Sequence, residues 1–119
     1  MMNLIIAFFI LKGLIIMKEW STTEFKAAIL SKSAFAVLFY TPMCGGCQLV
    51  ERYLHFAEAA MPEVQIVKMN VNYLPEVIAK YEIKSVPSIY VFSDDMAGER
   101  LSAIDNVTRI YEGLEKLRN

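Results

Sequence analysis

Apolar residues follow two different periods along this chain, and these periods predict strands that alternate with helices. The run Phe35–Tyr40 is continuously apolar, which is typical of a central strand covered on both faces. Residues 64–71 and Ser88–Phe92 are predicted as two further strands. After the turn residues of 93–98, the segment 99–104 is predicted as the edge strand of a hairpin.

Apolar residues at helical spacing predict two helices in the first half of the chain. Ser21 or Thr22 can cap the first helix, which is expected to end near Ser33. The second helix is expected to begin near Gln48 and to end at Pro62. Its apolar stripe consists of Val50, Leu54, Ala57 and Met61.

The second half of the chain contains the pattern of two more helices. Pro75 suits the first turn of a short helix that runs through Tyr81. Asp105 or Asn106 can cap a final helix. The buried side of this last helix is predicted to consist of Ile110, Leu114 and Leu117.

The order of these elements predicts an α/β fold. Strands that alternate with helices and then end in a hairpin imply a mixed central sheet of four to five strands, with helices on both faces. A short strand before the first helix would supply the fifth strand. Sites in open α/β sheets commonly lie at the carboxyl ends of central strands, so the residues after Phe35–Tyr40 are the first candidates for chemistry.

Both cysteines of the chain stand at this place, in the sequence Cys44-Gly45-Gly46-Cys47. A junction between a strand and a helix offers free backbone N–H groups and the positive end of the helix dipole, which stabilise a thiolate. The thiolate is the attacking species in disulfide exchange. Cys47, one helical turn further on, would be placed to resolve a mixed disulfide formed by Cys44.

Length and charge narrow the possible functions. The 119 residues are enough for one domain with its own core. The 12 Lys and Arg residues stand against 13 Asp and Glu residues, so there is no basic field that would hold nucleic acid. Two cysteines in one CxxC motif are not the framework of disulfides that staples small secreted domains. The two cysteines are therefore predicted to be either reactive thiols or metal ligands.

A metal site within one chain is disfavoured by a shortage of ligands. Zinc and iron–sulfur sites take about four ligands, and the chain offers two cysteines and the single His55. No metal and no cofactor is therefore predicted, although a metal that bridges two chains stays open. His55 lies two turns beyond Cys47 and is interpreted as a surface residue rather than a base. The remaining alternative is a pair of ordinary buried thiols.

Residues 1–17 form a hydrophobic N-terminal extension that needs a separate interpretation. As a membrane span this segment is short and contains Lys12 and Gly13. As a signal peptide it lacks a basic beginning and an Ala-x-Ala-like cleavage site. Translation that begins at Met17, a marginal anchor or signal, and a short strand over 14–17 all stay open. The domain itself is expected to comprise residues 18–119.

Four features make the chain resemble the thioredoxin family, from about Trp20 to the C-terminus. They are the junction Phe39-Tyr-Thr-Pro-Met-Cys-Gly-Gly-Cys47, the segment Val67-Lys-Met-Asn-Val-Asn72, the phrase Tyr81-Glu-Ile-Lys-Ser-Val-Pro87-Ser, and the order of the elements. A lone CxxC motif is weak support, but a CxxC motif with a later Val-Pro before a strand is specific. The resemblance implies the thioredoxin fold and a cis peptide bond at Pro87.

The resemblance also implies roles for individual residues. Cys44 would be the exposed attacking thiol, and Cys47 would be the buried resolving thiol. A substrate backbone would line up beside the cysteines in the manner of an added strand, over an apolar and low rim. The residues of this substrate surface would be Met43, Gly45, Val86 and Pro87.

Some positions depart from the usual pattern of the family. Leu38 stands where many thioredoxins have a buried acid, so the route of proton transfer is open. Lys68 matches the buried lysine of the family and, with Tyr40, is a candidate for tuning a thiol pKa. Without its acid partner, however, Lys68 could extend to solvent. Gly45 and Gly46 replace a more rigid pair, which leaves the redox potential open.

Two classes of function are compatible with these residues. The first is an enzyme that reduces protein disulfides by cycling Cys44 and Cys47 between dithiol and disulfide. By resemblance it would be a cytoplasmic monomer that acts on disulfide-containing proteins and is served by a flavin-dependent partner reductase. If residues 1–17 are an anchor, the same chemistry would take place outside the cytoplasm. The second class is a binding module of thioredoxin shape without turnover.

Overall fold

A mixed sheet of five strands forms the centre of the computed structural model, which describes residues 17–118. The strands are β1 (Lys18–Glu19), β2 (Phe35–Tyr40), β3 (Ile66–Asn70), β4 (Ser88–Phe92) and β5 (Glu99–Arg100). They lie in the order β1-β3-β2-β4-β5. β1 and β2 run parallel to β3, whereas β4 is antiparallel to both β2 and β5.

Four α-helices cover the two faces of this sheet. They are α1 (Thr22–Ser31), α2 (Gly45–Ala60), α3 (Pro75–Tyr81) and α4 (Val107–Leu114), with short 3-10 helices at Val71–Tyr73 and Glu115–Leu117. Buried residues of α2 and α4 form one core cluster with the sheet, and buried residues of α1 and α3 form the other. The predicted α/β architecture, a mixed sheet between layers of helices, is confirmed.

Burial on both faces explains the continuous apolar run of β2. Ala36 and Leu38 belong to the cluster with α2 and α4, whereas Phe35, Val37 and Phe39 belong to the cluster with α1 and α3. Successive side chains of a strand point to opposite faces, so a strand that is covered twice needs apolar residues at every position. β2 therefore holds the start of the segment that follows it in a fixed position.

The first and last α-helices begin at residues that the sequence offers as caps. The hydroxyl of Ser21 accepts a hydrogen bond from the N–H of Glu24, and the Glu24 carboxylate accepts one from the N–H of Ser21. Asn106 caps α4, because its side-chain oxygen accepts a hydrogen bond of 2.9 Å from the N–H of Arg109. α1 ends slightly before Ser33.

β3 is shorter than the strand predicted over 64–71. The N–H of Val64 donates to the carbonyl of Met61 at 3.0 Å, so Val64 still belongs to the turn after α2. At the other end, the side chain of Asn70 caps the 3-10 helix that begins at Val71. Local hydrogen bonds at both ends therefore take residues away from the strand.

β5 is also shorter than the edge strand predicted over 99–104, and the prediction is wrong beyond Arg100. The N–H of Leu101 donates to the carbonyl of Ile89 at 2.9 Å. The side chain of Leu101 is buried in the cluster that contains α4. The chain needs the following residues to cross from the sheet edge to the start of α4.

The interpretations of residues 1–16 lie outside the described residues, and so does most of the strand considered over 14–17. Met17 is described: its side chain is buried in the cluster with α2 and α4. β1 begins directly after it and pairs with β3, which supplies the fifth strand before the first helix. Within residues 17–118, none of the helices has the length and apolar character needed to cross a membrane.

Candidate active site

Cys44 lies between the end of β2 and the start of α2. The helix begins at Gly45, earlier than the predicted start near Gln48, because Cys44 itself is the N-cap residue. The backbone N–H of Cys47 donates to Sγ of Cys44 at 3.0 Å. In the reduced protein this donor and the positive end of the helix would stabilise a negative charge on the Cys44 sulfur.

The two cysteines differ in their access to solvent. They form a disulfide, with 5.2 Å between their Cα atoms. Cys47 is 3% exposed, whereas Cys44 is only half-buried. A substrate sulfur can therefore approach Cys44, while the body of the protein shields Cys47.

Pro87 lies against the start of α2. A Cβ added to Gly46 would lie 3.5 Å from Cδ of Pro87, at ordinary van der Waals distance, so the two residues are direct neighbours. The peptide bond between Val86 and Pro87 is cis, as the resemblance implies. The pairing of β4 with β2 begins at Ser88, opposite Phe39, so the backbone of Val86 lies just outside the strand ladder.

The surface around Cys44 is apolar and open. Met43 is 96% exposed, and a Cβ added to Gly45 would meet no other atom within 4 Å. A groove beside Gly46 and Pro87 is lined by side chains from α2 and from the segment that leads into α4. Among its lining residues are Leu49, Tyr53, Ile104, Asp105 and Arg109.

This groove was not predicted from the sequence, because distant parts of the chain form it. One signal was available. Leu49 is an apolar residue of α2 that is 47% exposed, and Phe56, two turns later, is 62% exposed. Such an exposed leucine beside the CxxC motif is a reason to look for a contact surface.

Tyr40, at the end of β2, is linked to β1. Its hydroxyl donates a hydrogen bond of 2.6 Å to Oε2 of Glu19. Burial, and then this bond to a carboxylate, raises the pKa of Tyr40 well above the usual tyrosine value. The phenol therefore stays protonated at neutral pH and does not serve as a base.

Lys68 has the acid partner that the sequence analysis did not find. It stands opposite Leu38 in the register of β2 and β3. Its Nζ lies 3.3 Å from both carboxylate oxygens of Glu51 on α2, and 5.1 Å from the centre of the Tyr40 ring. The acid comes from the helix instead of the strand. Glu51 follows Cys47 by one helical turn, which was a visible but unused signal.

His55, predicted as a surface residue rather than a base, has a side chain that is 19% exposed. Its Nε2 lies 3.6 Å from Oε2 of Glu51, and its Nδ1 lies 3.3 Å from Oε1 of Glu58. Burial raises the pKa of Glu58, and the hydrogen bond with His55 opposes that effect. In residues 17–118, His, Cys, Asp and Glu side chains form no group that could hold a metal ion.

Comparison with known proteins decides the family. A family model described as thioredoxin matches residues 16–116. The chain belongs to the thioredoxin family. Thioredoxin-like protein YusE of Bacillus subtilis is 34% identical over 83 residues, which cover 70% of this chain and 78% of that protein. Mitochondrial thioredoxin-3 of Saccharomyces cerevisiae is 27% identical over 103 residues, which cover 86% of this chain and 80% of that protein.

Solved thioredoxin structures share the fold of this thioredoxin-family chain. The oxidised form of mitochondrial thioredoxin 3 from Saccharomyces cerevisiae has a TM-score of 0.75 at 23% identity, over 88% of this chain and 99% of that one. Chloroplastic thioredoxin z has a TM-score of 0.71 at 24% identity, over 85% and 93%. The thioredoxin fold is confirmed. Family membership together with the CxxC pair makes the protein a thiol–disulfide oxidoreductase.

Proposed function

We propose that this thioredoxin-family protein reduces disulfide bonds of other proteins through a dithiol–disulfide cycle of Cys44 and Cys47. The position of Cys44 supports the proposal most directly. The residue is only half-buried, and its sulfur lies at the N-terminus of α2 and accepts a hydrogen bond from the N–H of Cys47. An accessible sulfur whose thiolate form is stabilised is the group that disulfide exchange requires.

In the first step the Cys44 thiolate attacks one sulfur of a substrate disulfide. A bond forms between Cys44 and that sulfur, and the bond between the two substrate sulfurs breaks. The departing substrate sulfur takes the electron pair and then a proton from solvent. The product of this step is a mixed disulfide.

In the second step Cys47 loses its proton and attacks the sulfur of Cys44. The bond between Cys44 and the substrate breaks, and the second substrate sulfur leaves with the electron pair and is protonated. Two electrons have then passed to the substrate. The protein ends with the disulfide between Cys44 and Cys47, which is the form that the structure has.

We assign substrate binding to the surface around Cys44. The free space at Gly45 and the exposed side chain of Met43 leave room for a chain to lie across the sulfur. The backbone of Val86, just before β4, can pair with an extended peptide. Pro87 then limits how closely the peptide approaches. An apolar surface of this kind accepts many protein disulfides.

We further propose that a flavin-dependent partner reductase returns two electrons to the protein, in keeping with the thioredoxin family. The protein would act as a monomer in the cytoplasm. That compartment keeps protein thiols reduced, which suits a protein whose net task is reduction.

The first test is the equilibrium reduction potential of the Cys44–Cys47 pair of the full chain, in glutathione or dithiothreitol buffers. A reductase is expected to lie near the value of thioredoxin, about −270 mV. A value near that of a strong oxidant, about −120 mV, would contradict the reductase assignment and favour an oxidase outside the cytoplasm.

Serine variants test the two cysteine roles separately, with reduction of insulin disulfides by dithiothreitol as the assay. Cys44→Ser is expected to abolish turnover, because no sulfur remains at the attacking position. Cys47→Ser is expected to stop after one step and to accumulate a mixed disulfide that mass spectrometry detects. A doubly substituted protein that keeps its activity would overturn the proposal, and one that keeps a partner and a phenotype would indicate a binding module.

A further inference from the structure

A cluster of charged side chains begins one helical turn after Cys47, and the proposed cycle gives it no role. Glu51 lies at its centre, 3.3 Å from Nζ of Lys68 through both carboxylate oxygens. His55 lies 3.6 Å from the same carboxylate and 3.3 Å from Glu58. We call Glu51, His55, Glu58 and Lys68 the Glu51 cluster.

The fold places the Glu51 carboxylate on the side of α2 that carries Cys47. The two residues are one turn apart on the same helix, so their side chains are neighbours. Lys68 comes from β3 and stands opposite Leu38, whose side chain belongs to the core beneath α2. The contact with Lys68 therefore draws Glu51 toward the sheet beneath the start of the helix.

Cys47 needs a proton acceptor in the second step. Cys47 is 3% exposed, so bulk solvent has poor access to its thiol. Burial in general makes a thiol less ready to ionise. The Glu51 side chain is 25% exposed, which lets water reach its carboxylate. A carboxylate that contacts water and stands beside a buried thiol is suited to receive a proton from it.

We propose that Glu51, held in place by Lys68 and His55, accepts the proton of Cys47 when Cys47 attacks the mixed disulfide. The S–H bond of Cys47 breaks, and the proton passes through water to the Glu51 carboxylate. The new sulfur–sulfur bond joins Cys47 to Cys44, and the substrate sulfur leaves with the electron pair. Glu51 then returns its proton to solvent. This inference rests on the proposed dithiol–disulfide cycle.

The titratable groups around Glu51 come from four elements of the fold. Lys68 faces it from β3, His55 and Glu58 face it from α2, and Tyr40 faces it from β2 with Glu19 of β1 bonded behind. Lys68 offsets the negative charge that Glu51 and Glu58 bring into this partly buried region. The balance of charge in this region therefore requires both Glu51 and Lys68.

The test separates the two steps with Ellman's reagent and the reduced full-length protein in a stopped-flow instrument. Attack by Cys44 releases one thionitrobenzoate, and closure by Cys47 releases a second. Glu51→Gln is expected to leave the first release within about twofold and to slow the second about tenfold or more at pH 7. The difference should shrink as the pH rises, because hydroxide then removes the proton.

Two further variants keep the result interpretable. Glu51→Asp retains a carboxylate and is expected to slow the second release less than Glu51→Gln does. Glu76→Gln is the matched control, since it removes another glutamate–lysine pair, with Lys26, on the opposite face of the sheet. It should leave both releases unchanged.

The possible outcomes separate the two proposals. An unchanged second release and pH profile in Glu51→Gln would overturn the role of Glu51, and so would equal slowing by Glu51→Asp and Glu51→Gln. Absence of the first release in the wild-type protein would instead overturn the proposed reduction itself. A slow second release that recovers at high pH in Glu51→Gln alone supports the inference.

Discussion

At the scale of single residues, the hydroxyl of Tyr40 connects the central strand to the edge of the sheet through Glu19. Tyr40→Phe is expected to lower the free energy of unfolding by about 1 kcal/mol at pH 7, because this hydrogen bond is lost. Folding raises the pKa of Tyr40 above its ordinary value of 10.0. The contribution to stability is therefore complete below that value and is lost as the pH rises above it.

Urea unfolding of both proteins at several pH values measures this effect. The stability advantage of the wild type over Tyr40→Phe should stay constant up to about pH 10 and fall as the pH rises further. Tyr73→Phe is the control, because Tyr73 is 77% exposed, and we expect it to stay within about 0.5 kcal/mol of the wild type. An advantage that stays constant through the alkaline range would contradict the prediction.

The residues of the candidate site differ in how far the sequence reveals them. Cys44 and Cys47 are visible as a motif, and Pro87 is visible because it precedes an apolar strand. The position of Glu51 one helical turn after Cys47 is visible too, but its contact with Lys68 on another element is not. A sequence shows which residue types are close along the chain, whereas this ion pair depends on how α2 lies on the sheet.

At the scale of elements, the capping box at the start of α1 is a local device that can be removed alone. Ser21→Ala is expected to lower the free energy of unfolding by about 1 kcal/mol, because the N–H of Glu24 loses its acceptor. Thr23→Ala, in the same first turn but outside the box, should stay within about 0.5 kcal/mol of the wild type. Urea unfolding compares the two, and equal losses would show that the box is not the cause.

Elements with strong local patterns could be predicted to the residue. β2, β4 and α3 have the predicted bounds, because an apolar run or a first-turn proline marks them. The ends of β3 and β5 were wrong, because the side chain of Asn70 and the path toward α4 decide them. The start of α2 was placed too late, since the capping role of Cys44 outweighs the flexibility of two glycines.

At the scale of the whole molecule, the two core clusters are expected to unfold together. Strands β2 and β4 contribute side chains to both clusters, so neither can lose its packing alone. Trp20, the single tryptophan, is 7% exposed, and its ring centre lies 5.0 Å from that of Phe35. Its fluorescence therefore reports on one cluster, while circular dichroism reports on all helices.

The two signals should give the same midpoint in urea, as a two-state domain requires. The measurement is made on both the oxidised and the reduced protein. The two midpoints should agree with each other in each redox form. A fluorescence transition that precedes the loss of helical signal would show that the face with α1 and α3 unfolds separately.

At both edges of the sheet described within residues 17–118, the outer strands are of a kind that disfavours pairing with another copy of the protein. Lys18–Glu19 and Glu99–Arg100 are exposed two-residue strands, and every one of their side chains is charged. An unpaired sheet edge is a template for another chain, but short and charged edges are poor templates. At high concentration, copies of the protein are then not expected to pair edge to edge into larger sheets. Under the proposed function, an extended peptide would instead pair with the backbone of Val86, just outside the β2–β4 ladder.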